Sequence, residues 1–113
     1  RIKKSINKKN FIKRLFNKIE VKKCNTKAQK ANCYAKRFAA KEAFSKALGS
    51  GISDGISFDE IIIDNDIKGK PFIRLLGKTK KIVSKKIKSN KYNIFLSLTD
   101  DSPFAAATVV ISI

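Results

Sequence analysis

With 113 residues the chain is long enough for one small domain, whose core stays thin unless subunits share burial. Apolar residues make up 42% and charged residues 31%, which excludes a disordered chain, and no apolar run approaches the ~20 residues of a membrane-spanning helix. The formal charge of +17 is concentrated: residues 1–48 hold 16 Lys and Arg against Glu20 and Glu42, whereas residues 49–113 hold 10 against 7 acidic residues.

The chain opens on RIKKSINKKN, which lacks the apolar centre of a secretion signal, so a cytoplasmic protein is expected. No methionine occurs anywhere, which leads to the expectation that the sequence starts downstream of the true N-terminus. From Ile2 to Ile19 apolar residues recur at Ile6, Phe11, Ile12, Leu15 and Phe16 with Lys and Asn between them, the pattern of one or two short amphipathic helices with a basic outer face. Residues 22–27 read as a loop, with Asn25 or Thr26 able to cap the next helix. Cys24 and Cys33 form no CxxC pair and there is no histidine, so reduced thiols, structural or incidental, are expected.

Residues 27–48 are Ala-rich and predict the longest helix, stopped at Gly49, where a C-terminal cap belongs. GSGISDG (49–55) is a glycine-rich loop. SFDEIIID (57–64) and KPFIRLL (70–76) read as a strand pair joined by the turn residues NDIKGK. TKKIVSKKIKS (79–89) has helical spacing at Ile82, Val83 and Ile87. NIFLSLTDD (93–101) and FAAATVVISI (104–113) then read as two strands joined around Asp101, Ser102 and Pro103. Helices, two strands, a helix and two strands make an α+β domain spanning 1–113.

In the long helix Ala31, Ala35, Phe38, Glu42 and Ser45 follow steps of three and four, so Glu42 is expected to interrupt an apolar stripe. An ionised carboxylate in such a setting needs a cation, a metal or hydrogen-bond donors. Lys46 lies one turn further on, in the favourable orientation for a helix ion pair. Periodicity leaves an edge ion pair and a functional carboxylate both open.

RFAAKEAFSKALGSGI (37–52) resembles the signature helix and glycine loop of the holo-acyl-carrier-protein synthases, short members of the 4'-phosphopantetheinyl transferase superfamily. In the same order, NDIKGKPFIRL (65–75) is similar to that family's Asn-Asp, Gly-Lys-Pro hairpin. FLSLTDD (95–101) is similar to its Ser-Leu-Thr strand, and FAAATVVI (104–111) to its closing strand. The resemblance covers nearly all of 37–113, while 1–36 match only through Arg1-Ile2 and the basic helix.

The resemblance implies an antiparallel sheet packed on a long helix, a homotrimer, and a magnesium-dependent enzyme of fatty acid biosynthesis. Such an enzyme moves the 4'-phosphopantetheine arm of coenzyme A to a serine of apo-acyl-carrier protein and releases adenosine 3',5'-bisphosphate. It makes Glu42 a catalytic residue and a magnesium ligand beside an Asp of a Gly-x-Asp-Ile strand expected upstream of Arg1. It makes Lys46 a catalytic phosphate clamp. Arg37, Lys41, Gly69, Lys70, Pro71, Ser97 and Thr99 join Lys46 as coenzyme A-binding residues, and Gly69-Lys70-Pro71 read equally well as a plain turn. Arg1, Phe11 and Arg14 match positions that dock the acidic acyl-carrier protein, and Lys13 and Lys18 fit by charge.

Phe95 stands where many relatives carry His. The serine proton is then expected to go to a carboxylate: Glu42 through a metal-bound water, or Asp100 or Asp101, although these two read more readily as turn residues before Pro103.

The main rival is a small basic nucleic-acid-binding protein. It rests on charge, which 22 Lys against 4 Arg and abundant Ile and Asn partly trace to an A/T-rich genome. The phenylalanines fall mostly at core spacing rather than among exposed basic residues, so a nucleic acid is not the expected partner, and the lack of a long apolar run leads to the same expectation for a membrane. A non-catalytic adaptor with the transferase fold is the second rival.

Overall fold

The computed structural model describes residues 9–49, 54–99 and 105–113. Two short helices, α1 (Lys9–Leu15) and α2 (Lys18–Asn25), open the described chain. Residues 22–25, expected in a loop, are helical because α2 has a strong start. The Asn17 side chain accepts from the backbone N–H of Ile19 at 3.1 Å, and the Glu20 carboxylate accepts from the Asn17 N–H at 2.9 Å. Together with the N3 contact these form a reciprocal capping box. Thr26 ends α2 instead of starting the next helix, its hydroxyl donating to the carbonyl of Lys23 at 2.7 Å.

The long helix α3 (Lys30–Leu48) stops as expected at Gly49, whose φ of +71° is left-handed. The turn between α2 and α3 folds the two helix ends together, with the Cα atoms of Cys24 and Cys33 5.4 Å apart. That separation suits a disulfide, and the two sulfurs are bonded. The expectation of free thiols is thereby corrected: nine residues apart in sequence, the cysteines meet only because the helices reverse direction between them.

Beyond residue 54, a 3₁₀ turn (Phe58–Glu60) precedes β1 (Ile61–Asn65), β2 (Pro71–Leu75), α4 (Gly77–Ile87), β3 (Asn93–Thr99) and β4 (Ala106–Ser112). The first strand begins later than residue 57 because the Glu60 N–H bonds the Ser57 carbonyl at 3.0 Å, curling that segment. The curl aims the Glu60 carboxylate at the start of α4, where it accepts from the backbone N–H of Thr79 at 3.0 Å and from its hydroxyl at 2.7 Å. Leu76, the capping position of α4, has no side-chain acceptor, so Glu60 supplies one from outside the helix. Gly77 makes room for it: a Cβ there would sit 2.1 Å from Glu60 Oε2, and φ is +57°.

The strands form two antiparallel pairs. Ile61 to Asn65 run opposite Leu75 to Pro71, and Asn93 to Thr99 opposite Ser112 to Ala106. The class is therefore α+β, with two small antiparallel hairpins. Ala40 and Phe44 of α3 meet Ile61, Ile63, Leu75, Val83 and Leu96 in the larger core, while Phe16, Tyr34 and the disulfide form a smaller one.

A buried ion pair joins these two clusters. Lys41 Nζ reaches Glu20 Oε1 at 2.7 Å, with both side chains fully buried, and lies 5.4 Å from the centre of the Phe16 ring. It also donates to the carbonyls of Phe58 at 2.6 Å and Ile61 at 2.5 Å. Glu20 completes the set by accepting from the Ile63 N–H at 3.1 Å. Burial pushes the Lys41 ammonium below its ordinary range, opposed by the attraction and hydrogen bond of Glu20.

Candidate functional site

The inward face of α3 is set by Cys33, Tyr34, Arg37, Ala40, Lys41, Phe44 and Ser45, all buried. This stripe is rotated from the one expected, on which Ala31, Ala35 and Phe38 are half-buried and Glu42 is exposed. Glu42 therefore does not interrupt the buried face. Lys46 is exposed one turn away, and among the described residues no ion pair joins the two. What remains is a solvent-facing carboxylate with a lysine beside it on the last turns of a rigid helix.

Lys41, expected on coenzyme A, lies inside the fold. Its ammonium is held by Glu20 and two backbone carbonyls and has no surface exposure. The sequence carried half of the signal, because Asn17-x-x-Glu20 is a capping-box pattern. Nothing in it points from Glu20 across 21 residues to Lys41.

Arg37 is also buried, at 5% exposure, yet it lines a cleft of about 280 Å³ with Lys23, Lys27, Lys36, Asn32 and Asn65. Its Nη1 donates to the Cys33 sulfur at 3.1 Å, and its buried Nε has no hydrogen-bond partner. Desolvation lowers the guanidinium's pKa from its ordinary value, with the charges of Glu20 and Asp64 pulling the other way. Lys23, on the wall of the cleft, is held by Asp64 at 2.8 Å. That bond is the main reason the Asp64 carboxyl is pushed below its usual range. Periodicity could not have found Lys23, Lys27 and Asn65 as companions of Arg37, because they come from a different helix, a turn and a strand.

The hairpin tip adjoins the same cleft, since Asn65 Nδ2 donates to the carbonyl of Gly69 at 2.9 Å. Asp66 organises the turn by accepting from the N–H groups of Lys68 at 3.0 Å and Lys70 at 2.8 Å. Gly69 takes φ of +89° with open space around its Cα, and Lys70 is exposed. The plain-turn role of Gly69 is thus present in the backbone itself. Arg37 and the Gly69-Lys70-Pro71 tip are brought to one neighbourhood, whereas Glu42 and Lys46 do not line the cleft.

On β3, Phe95, Ser97 and Thr99 alternate outward and are exposed, opposite Val110, Thr108 and Ala106 of β4. Phe95 and Val110, each 54% exposed, form an apolar cross-strand pair. Arg1, Asp100 and Asp101 lie outside the described residues. Along α1 and α2 runs a groove of about 900 Å³ with Ile12, Phe16 and Val21 in it and Lys13, Lys18 and Lys22 beside them. Arg14 is exposed and Phe11 half-buried on the same helix α1.

Glu42 is an accessible oxygen donor with no ion-pair partner among the described residues, which fits it to a hard cation such as magnesium. Magnesium sites commonly use one or two carboxylates and complete their shell with substrate phosphates and water. No helix of the described residues is long and apolar enough to cross a membrane.

The family model described as the 4'-phosphopantetheinyl transferase superfamily matches residues 1–107. The chain is 43% identical over 111 residues to the holo-[acyl-carrier-protein] synthase of Pelagibacter ubique, covering 98% of this chain and 87% of that one. It is 48% identical over 103 residues to the synthase of Zymomonas mobilis, covering 89% and 77%. Among solved structures it is similar to the Helicobacter pylori holo-[acyl-carrier-protein] synthase in complex with coenzyme A. There the TM-score is 0.78 and the identity 32%, covering 98% of this chain and 90% of that one. The synthase of Neisseria meningitidis matches with a TM-score of 0.79 and 30% identity over 99% and 90%. The rival expectation of a nucleic-acid-binding protein gains no support from these matches.

Proposed function

The chain belongs to the 4'-phosphopantetheinyl transferase superfamily, and we propose that Glu42, Lys46 and Arg37 carry the chemistry of that family in it. It is a holo-acyl-carrier-protein synthase, transferring the 4'-phosphopantetheine group of coenzyme A to a serine of apo-acyl-carrier protein and leaving adenosine 3',5'-bisphosphate. The observation that carries this is the 43% identity to the Pelagibacter synthase across 98% of the chain.

Phosphoryl transfer asks a protein chiefly to position the partners and to neutralise charge. A magnesium ion held by Glu42 would neutralise charge on the pyrophosphate when bound. Lys46 supplies a mobile point charge one turn away, suited to a phosphate oxygen. Arg37 and the neighbouring lysines offer a second cationic pocket for the coenzyme's phosphates, with Gly69, Lys70 and Pro71 at its edge and Ser97 and Thr99 as outward hydroxyls on β3. Phe95 cannot accept a proton, so a carboxylate takes the serine proton: Glu42, or Asp100 or Asp101.

The basic, apolar-floored groove of α1 and α2, with Phe11 and Arg14 beside it, suits an acidic carrier protein, with Arg1 as a further docking residue. The exposed Phe95–Val110 pair supports a homotrimer that covers this face. Fatty acid biosynthesis in the cytoplasm is the setting this reading implies. The test is incubation of the full-length protein, including any residues encoded upstream of Arg1, with coenzyme A, magnesium and apo-acyl-carrier protein, with intact mass as readout. A gain of the pantetheine arm is expected. No gain, or a rate untouched by Glu42→Gln, would overturn the assignment.

A further inference from the structure

The Cys24–Cys33 disulfide takes no part in the transfer chemistry, yet it is placed where small molecules reach it from one side only. Cys24 is fully buried, whereas Cys33 is 6% exposed and lines the cleft of Lys23, Lys27, Lys36 and Arg37. Arg37 Nη1 donates to the Cys33 sulfur at 3.1 Å, and its Nε is buried without a partner. Asp64 is paired with Lys23 at 2.8 Å, and Glu20 with Lys41 at 2.7 Å. The wall around Cys33 carries four basic residues and no acidic one, so it is cationic even with Lys23 paired, which stabilises a thiolate and attracts anions.

We propose that Cys33 is a thiol–disulfide exchange site for small anionic thiols and their disulfides, with Cys24 as its resolving partner. In reduction, an incoming thiolate attacks Cys33 Sγ and breaks the bond to Cys24, which leaves with the electron pair and takes a proton. A second thiolate attacks the small-molecule sulfur of the resulting mixed disulfide. It releases Cys33 as a thiolate beside Arg37 and forms the small disulfide, so two thiols are oxidised for one protein disulfide reduced. Oxidation runs the same steps backwards. The polarity of the pair follows from access, because Cys24 is closed to an external sulfur. Exchange loosens the α2–α3 staple and places a negative charge next to Arg37, so the redox state alters the cationic cleft directly. The site stands on the geometry of Cys33 and does not rest on the transferase reading.

The test is to reduce the intact protein with mercaptoethanesulfonate, mercaptoethanol and cysteamine at equal thiolate concentration, following the disulfide by alkylation and mass. The anionic reagent is expected to react about tenfold faster than the cationic one at low salt, the gap closing near 1 M salt, where screening acts within ~3 Å. With the oxidised sulfonate reagent, Cys24→Ser should hold a stable adduct on Cys33, and Cys33→Ser none on Cys24. Rates independent of reagent charge would overturn the proposal, and so would an adduct on Cys24. So would native protein whose two thiols stay free under oxidised reagent. The kinetic arm uses the unaltered chain, so a variant that fails to fold leaves a decisive measurement in place.

Discussion

Replacing Lys41 by Met tests the interior ion pair and the structural role it gives this residue. Methionine keeps most of the volume, so the change removes charge and hydrogen bonds rather than packing. Three short bonds vanish, to Glu20 at 2.7 Å and to the carbonyls of Phe58 at 2.6 Å and Ile61 at 2.5 Å. The Glu20 carboxylate is left buried, keeping the N–H donors of Asn17 at 2.9 Å and Ile63 at 3.1 Å. Breaking one side of a buried pair costs about 3–5 kcal/mol, and the two surviving donors place this case near the lower end. For a domain of this size that corresponds to a fall in Tm of roughly 12 °C, at ~4 °C per kcal/mol. Glu20→Gln combined with Lys41→Met should recover at least ~1 kcal/mol, because no uncompensated charge remains. The assay is denaturant unfolding by circular dichroism at fixed protein concentration, alongside KM for coenzyme A. A loss below ~1 kcal/mol with a raised KM would refute the reasoning and return Lys41 to the ligand.

Glu42→Gln should lower the transfer rate at least ~100-fold, about 2.7 kcal/mol of barrier, while unfolding stays within ~0.5 kcal/mol of the parent because the side chain is exposed. Removing magnesium with a chelator should likewise stop transfer and leave the melting temperature unchanged, as read by mass and by circular dichroism. Glu60 is held below its ordinary 4.5, chiefly by the Thr79 hydroxyl, so it contributes stability above about pH 4.5 that is lost as pH falls. Thr79→Val should flatten the loss of stability between about pH 5 and pH 3, and an unchanged acid profile counts against this role. Gly77→Ala should cost at least ~1 kcal/mol, since its Cβ would meet Glu60 Oε2 at 2.1 Å and its φ is left-handed. A neutral result in urea unfolding would show that Glu60 does not cap α4.

Much of the architecture was legible in local chemistry. The Ala-rich run ended by Gly49, the turn residues between Asn65 and Lys70, and the alternation of 93–99 each act within a few residues of themselves, so α3, the first hairpin and β3 could be placed. The Arg37–Lys46 pattern was equally local and led to the right family. Errors arose where a distant group decided the outcome. The first strand starts late where Glu60 curls back on Ser57 and its carboxylate reaches Thr79 of α4, whereas the helical 22–25 follow from a capping box already written locally in Asn17 and Glu20.

Side-chain roles on α3 divided the same way. Helical spacing determined that Glu42 and Lys46 share one side of the helix, one turn apart. Which side meets the core was decided by tertiary packing: Glu20, Phe58 and Ile61 draw Lys41 inward, and Glu42, next along the helix, faces water. A stripe offset by one residue turns the helix by about 100°, enough to exchange a buried cation for an exposed carboxylate. The same holds for Cys24 and Cys33, whose types are written in the sequence. Their bond exists because the turn between α2 and α3 brings their backbones within reach, and no spacing rule encodes that reversal.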